Sequence, residues 1–183
     1  MTEEQAGATP EVEVLYAAEA IAARLEELAK DITARNLERP LIVAVLKGSF
    51  VFAADLIRAL YRSGLEPEVD FLTLSSYRKS RTSSGNVEIL RDLDLDVEGR
   101  NVILVDDVLD SGRTLVFAKD LLSARGASQI LTCVLIDKKV SRAVDVAADF
   151  RAFEGSNEFV VGYGMDVAHR YRELPFVGRM TKE

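Results

Sequence analysis

The sequence predicts an α/β fold with a mainly parallel, twisted sheet flanked by helices. Two observations carry that expectation. Unbroken apolar runs of strand length, "LIVAVL" at 41–46, "NVILV" at 101–105 and "ILTCVLI" at 130–136, read as strands buried on both faces. Stretches of helical periodicity stopped by glycine lie between such runs, which gives strand–helix–strand units whose crossover is expected to be right-handed.

Taken in order, Val14, Ala18, Ile21, Leu25, Leu28 and Ile32 recur at steps of four and three and predict a first helix packed on the sheet. Glu19, Arg24, Glu26, Glu27 and Lys30 surround that stripe. Pro40 opens the strand "LIVAVL"; "KGSF" then leads into a second helix carrying Phe50, Ala53, Ile57 and Leu60, with Gly64 as its stop. "EVDFLTL" reads as a strand, the polar "SSYRKSRTSSG" as an interruption, and "NVEILRDL" as another strand. "NVILV" is a short buried strand, "RTLVFAKDLLSARG" a helix stopped at Gly126, and "SQILTCVLID" a further buried strand. The stretch from Ala148 to Asp166 holds two short apolar segments around a turn, and "RYRELPFVG" is aromatic and basic. With no internal repeat or linker, residues 1–183 read as a single domain, with 1–11 expected to be disordered.

Composition narrows the function classes. Hydrophobic residues make up 48% and charged residues 29% of the 183, and no apolar run reaches the roughly 20 residues of a membrane span. "MTEEQAGATPEVE" lacks the basic and apolar blocks of a secretory signal, so a cytoplasmic location is the expectation. The single cysteine, Cys133, sits inside an apolar run and reads as packing. The single histidine, His169, rules out a multi-histidine metal cage and reads as a solvated side chain. A net charge of −7 disfavours broad attraction to nucleic acid, whereas a small anionic ligand needs only local cations.

The chemistry concentrates in "VILVDDVLDSGRTL", residues 102–115. In open parallel sheets, ligands collect beyond the carboxyl ends of strands. Asp110, Ser111, Gly112, Arg113 and Thr114 lead into a helix whose first N–H groups lack partners, so the loop can cradle a phosphate. The carboxylates of Asp106 and Asp107 would repel that phosphate unless the same ligand also offers hydroxyls or a bound metal, as a sugar phosphate with Mg²⁺ does. Neighbouring strand residues face opposite ways, so both carboxylates reach one sugar only if the strand has ended near Asp106. Neither a P-loop nor a dinucleotide fingerprint is present.

This stretch resembles the phosphoribosyl-diphosphate motif of type I phosphoribosyltransferases. Further segments agree in order: "VLKGSF" at 45–50, "SSY" at 75–77, "LIDKK" at 135–139, "EFVVGYGMD" at 158–166 and "RYRELP" at 170–175. Together they are similar to the hypoxanthine-guanine branch, from about residue 12 onward. The resemblance implies the type I phosphoribosyltransferase fold with a small hood built from N- and C-terminal segments. It also implies Mg²⁺-dependent transfer of a phosphoribosyl group from phosphoribosyl diphosphate to N9 of a 6-oxopurine, in a homo-oligomer that binds neither nucleic acid nor membrane.

By the same resemblance, Asp106 and Asp107 hold the ribose hydroxyls and, through water, Mg²⁺, while Asp166 serves a second Mg²⁺. The family often has Glu where this chain has Asp106. Asp110 is the candidate general base or hydrogen-bond acceptor at purine N7. The Leu46–Lys47 peptide is expected to be cis, with Lys47, Gly48 and Arg172 contacting pyrophosphate and Arg170 a solvated neighbour. Lys138, with Lys139 as competitor, meets the purine O6; Phe159 stacks on the ring, Val160 meets its far edge, and Val161 is core. Residues 75–88 are expected to form a mobile lid, not a hairpin turn, with Ser76 and Tyr77 closing over pyrophosphate. A second reading, a regulator that keeps the phosphoribosyl site but binds RNA or DNA, is opposed by the acidic charge and by the matches at Asp110, Lys138 and Phe159.

Overall fold

Strands without polar alternation need cover on both faces, and the computed structural model, which describes residues 12–76 and 87–181, supplies it. Its elements are β1 (Val12–Tyr16), α1 (Ala18–Thr33), β2 (Leu41–Leu46), α2 (Phe50–Arg62), β3 (Glu68–Ser76), β4 (Val87–Arg91), β5 (Asn101–Leu109), α3 (Arg113–Ala124), β6 (Gln129–Lys138), β7 (Phe150–Gly155), β8 (Val160–Val161) and β9 (Val177–Met180). The main sheet runs β4-β3-β2-β5-β6-β7, parallel throughout apart from the antiparallel β3–β4 pair. A second, antiparallel sheet of order β1-β9-β8 joins the N- and C-terminal segments, as the expected hood requires.

Alternation along the strands divides the core in two. Ile42, Ala44, Ile103, Val105, Cys133 and Leu135 face α1 and α2, while Leu41, Val43, Val45, Val102, Leu104 and Val134 face α3. Fully covered side chains such as Phe52, Leu56 and Ile103 each contribute about 1.5–3 kcal/mol of hydrophobic free energy. Burial pushes the Cys133 thiol well above its ordinary range, consistent with a packing role. Thr132 is a polar residue in a buried strand, and Asp149 satisfies it: Thr132 N–H and hydroxyl both donate to Asp149 Oδ2 at 2.8 Å.

The first helix differs from its expected start. Val14 belongs to β1, where it pairs with Gly178 and is half exposed; α1 begins at Ala18 and buries Ile21, Leu25, Leu28, Ala29 and Ile32. The helical spacing of Val14 is overridden by antiparallel pairing with β9, a partner far away in sequence. α1 packs against α2 and the edge strand β7, where Arg24 donates to the carbonyls of Ala152 and Arg151. In α2 the buried side is Phe52, Ala53, Leu56, Ala59 and Leu60, so Phe50, expected on that stripe, is exposed. Helices α2 and α3 end where expected, before Gly64 and Gly126.

Strand β5 also differs. It was expected to end near Asp106, yet it continues to Leu109 because β6 stays beside it to the Leu109–Asp137 pair. On the other side, β2 leaves it after the Ala44–Val105 pair. Ser75 and Ser76 pair with Glu88 and Val87, so the polar stretch expected as a lid links two antiparallel strands. Residues 77–86, including Tyr77, lie outside the described residues, as do 1–11. Among the described residues, no helix is long and apolar enough to cross a membrane.

Asp70 is a buried carboxylate that fastens the strand-linking segment after β4. Its Oδ2 accepts the N–H groups of Asp94 and Leu95 at 2.8 Å and its Oδ1 accepts that of Phe71 at 2.7 Å. Asp70→Ala leaves these donors unpaired and is expected to lower stability by about 1–3 kcal/mol. Urea unfolding midpoints check this, with the kcat of folded protein unchanged.

Candidate active site

The carboxyl ends of β2, β5 and β6 open into a cleft of about 300 Å³ bordered by Lys47, Gly48, Asp106, Asp107, Asp110, Thr114, Lys138, Phe159, Val160 and Asp166. A smaller recess of about 40 Å³, formed by Ser111 and Gly112, shares Asp106, Asp110 and Thr114 with it. Residues far apart in sequence thus meet where a parallel sheet collects ligands. A larger cleft of about 790 Å³ lies between α1, α2 and residues 172–175, but its lining is chiefly apolar and includes none of the loop 110–114.

Asp106 and Asp107 share the cleft although β5 does not end there. The pairing with β6 passes from Asp106–Val134 to Val108–Ile136 without Asp107. The N–H of Asp107 turns to Asp106 Oδ1 (2.9 Å), and that of Val108 to Asp107 Oδ1 (2.8 Å). A local departure from the ladder thus does what a strand end was expected to do. Burial, reinforced by the charge of Asp107, pushes the Asp106 carboxyl well above the usual carboxylate range. Asp107 lies against the backbone of Gly48: a Cβ there would stand 1.7 Å from Asp107 Oδ2. The Leu46–Lys47 peptide beside it is cis, as expected.

The geometry of the 110–114 loop depends on Gly112, which caps α3 with φ of 80°. A side chain at that position would meet Val146 Cγ1 at 2.5 Å, and left-handed backbone is cheap for glycine alone. Gly112 occupies the N-cap and has no side chain to cap the helix; apart from a long contact from the Arg113 N–H to Ser111 Oγ (3.5 Å), this leaves first-turn N–H groups for an anion. The side chain of Arg113 is exposed and borders neither the cleft nor the recess, so that residue can offer only its backbone.

Lys138 Nζ stands 3.3 Å from Asp110 Oδ2, its side chain 8% exposed. Lys139 is 73% exposed and pairs with Glu154, outside the cleft. Strand alternation at the end of β6 separates the two lysines that sequence left in competition. Phe159 is half exposed on the rim, Val160 borders the cleft, and Val161 is fully buried. Asp166 forms part of the wall, but Arg172 stands behind it: Arg172 Nη2 lies 2.7 Å from Asp166 Oδ1, and its Nη1 donates to the Gly164 carbonyl at 2.6 Å. Arg172 thus borders the larger cleft and not the smaller one. Arg170 and His169 are exposed, and the His169 N–H donates to Asp166 Oδ2 at 2.8 Å. Ser76 ends β3; Tyr77 lies beyond the described residues.

Among the described residues, no three His, Cys, Asp or Glu side chains cluster to hold a metal ion. The adjacent Asp106 and Asp107 carboxylates still suit Mg²⁺, which completes its shell with water and ligand oxygens and relieves their repulsion. Cleft residues not singled out from sequence are Val45, Leu74, Val108 and Met165. They are apolar strand or loop residues whose types carry no signal separating a cleft wall from core.

Residues 11–168 match the family described as phosphoribosyl transferase domain. The chain is 42% identical over 171 residues to the hypoxanthine-guanine phosphoribosyltransferase of Streptococcus agalactiae serotype V, covering 93% of each. It is similar to the crystal structure of a hypoxanthine-guanine phosphoribosyltransferase from Bacillus anthracis with HEPES in the active site, with 40% identity, a TM-score of 0.85 and coverage of 93% and 99%. A hypoxanthine phosphoribosyltransferase of Trypanosoma cruzi, solved in work on how its C-terminal region affects oligomeric state and activity, gives 34% identity, a TM-score of 0.86 and coverage of 97% and 94%.

Proposed function

The chain belongs to the phosphoribosyl transferase domain family, and we propose that it is a purine-salvage enzyme acting on 6-oxopurines. It transfers the 5-phosphoribosyl group of phosphoribosyl diphosphate to N9 of hypoxanthine or guanine, giving IMP or GMP and pyrophosphate. The observation that carries this reading is one cleft lined by both the Lys138–Asp110 pair, 3.3 Å apart, and the Asp106–Asp107 carboxylates, with the Gly112 loop adjoining it through a recess that shares Asp106 and Asp110.

The C1–O bond to pyrophosphate breaks and the C1–N9 bond forms, with positive charge developing on the ribose. Asp106 and Asp107 hold the 2- and 3-hydroxyls, where the charge of Asp107 also steadies the cationic sugar. Ser111, Gly112, Arg113 and Thr114 bind the 5-phosphate through helix N–H groups and the Ser and Thr hydroxyls. Lys138 donates to O6, Asp110 accepts at N7 and takes up the purine proton, Phe159 stacks on the ring and the Val160 backbone meets its far edge. Lys47 and Gly48 contact pyrophosphate. Arg172 reaches it from behind Asp166, exchanging that ion pair for the ligand. When bound, Mg²⁺ supplies positive charge to the departing pyrophosphate; Asp106 and Asp107 would hold one ion, through water, on the sugar side and Asp166 a second on the other.

The assay that tests this reading is pyrophosphate release from phosphoribosyl diphosphate and Mg²⁺ with each purine in turn. Turnover with hypoxanthine or guanine, lost on chelation, is the expected result; no turnover with any base overturns it and favours the nucleic-acid regulator. Lys138→Ala is expected to raise the KM for hypoxanthine by about 10- to 100-fold, since a buried charged donor is lost. Lys139→Ala should change it by less than about twofold, as an exposed pair contributes little. The reading includes a cytoplasmic homo-oligomer, dimer or tetramer, measurable by light scattering.

A further inference from the structure

A buried tyrosine ties the loop carrying Asp166 to helix α2. Tyr163 has φ of 51° and lies between Gly162 at 91° and Gly164 at 99°, three left-handed residues in succession. For a bulky side chain this backbone is uncommon, and it persists where surrounding contacts fix it. Here the ring is buried in the core beside α1 and α2, and its hydroxyl donates to Asp55 Oδ2 on α2 at 2.6 Å. Burial and the Asp55 carboxylate push the phenol upward, so it stays a neutral donor. Asp55 is further paired with Arg58 at 3.4 Å.

The anchored residue adjoins the pyrophosphate side of the cleft. Tyr163 N–H donates to the Leu174 carbonyl at 2.9 Å, and Gly164 N–H to that of Arg172 at 3.1 Å. Arg172 Nη1 returns a bond to the Gly164 carbonyl at 2.6 Å, so Gly164 is held at both backbone groups by one arginine. The Cα of Gly164 abuts the Lys47–Gly48 loop: a Cβ there would meet the Gly48 carbonyl oxygen at 2.5 Å. Gly48 leads directly into α2, and the Ser49 hydroxyl ties that junction to the Val45 carbonyl at 2.5 Å. Asp55 and Gly48 therefore belong to one rigid unit, and Tyr163 joins the loop bearing Asp166 to it.

We infer that Tyr163 and Asp55 are positioning residues for pyrophosphate recognition: their hydrogen bond fixes Gly164 against Gly48 and thereby aims Arg172, Asp166 and the Lys47–Gly48 loop. The inference rests on the proposed phosphoribosyl transfer. Neither side chain borders the small cleft, so each acts through the groups that do.

Kinetic constants of Tyr163→Phe, Asp55→Ala and the double variant, measured beside their melting temperatures, test it. Each single variant is expected to raise the KM for phosphoribosyl diphosphate and the inhibition constant of pyrophosphate by about 5- to 20-fold. The KM for hypoxanthine should move less than twofold, and the double variant should match the singles because one link has been cut. A lowered melting temperature with unchanged constants, equal shifts for purine and sugar diphosphate, or multiplying effects in the double variant would each overturn it. If Tyr163→Phe does not fold, Asp55→Ala reads the same link at a half-exposed position. Failure of the unsubstituted protein to turn over any purine or bind pyrophosphate is seen before any variant is compared, and rejects the underlying reading along with this one.

Discussion

Asp110→Asn is expected to lower kcat by about 10²- to 10⁴-fold, the range that a positioned proton acceptor contributes. The substitution keeps the shape and one acceptor oxygen but removes the charge. It also strips Lys138 of its counter-ion 3.3 Å away, inside a site where that ammonium is nearly covered. The purine KM should therefore rise as well. Binding of phosphoribosyl diphosphate should change by less than about threefold, because the sugar and phosphate groups contact Asp106, Asp107 and the Gly112 loop in the proposed arrangement. Stopped-flow turnover together with calorimetric binding of the sugar diphosphate separates the two quantities. An equal loss in both would remove Asp110 from the base side of the site.

Gly48→Ala should have the opposite signature, with the KM for phosphoribosyl diphosphate raised by about 10- to 100-fold and a smaller effect on purine binding. A methyl group there would stand 1.7 Å from Asp107 Oδ2 and 2.7 Å from its Cγ, far inside contact distance. The carboxylate can relieve this only by rotating. Its Oδ1 already accepts the Val108 N–H at 2.8 Å, so rotation sacrifices a bond that shapes the end of β5. Gly99→Ala is the fitting control: no heavy atom lies within 4 Å of its added Cβ, leaving the left-handed backbone, φ 67°, as its cost. Product formation against sugar-diphosphate concentration for the two variants distinguishes steric loss at the site from a general glycine effect.

Much of the fold could be read locally. The runs at 41–46, 101–105 and 130–136 became adjacent strands of one sheet because only a position covered on both faces accommodates uninterrupted aliphatic residues. Gly64 and Gly126 marked helix ends for equally local reasons. The turn at Gly112 was legible too, since a left-handed glycine entering a helix needs no distant partner. Errors arose where a distant partner outweighed local pattern. β9 claimed Val14 for a strand, and β6 carried β5 past Asp106.

By itself the sequence determined the alternation of strands and helices, the glycine turn that opens α3, and the charged residue types that line the strand ends. Tertiary structure alone decided which of those groups meet. It turned Lys138 toward Asp110 and Lys139 toward Glu154, set Arg172 behind Asp166, and brought Tyr163 to Asp55 across 108 residues of chain. The physical reason is range: periodicity and turn chemistry act over a few residues, whereas the facing of a side chain at a strand end is fixed by whichever distant backbone pairs there.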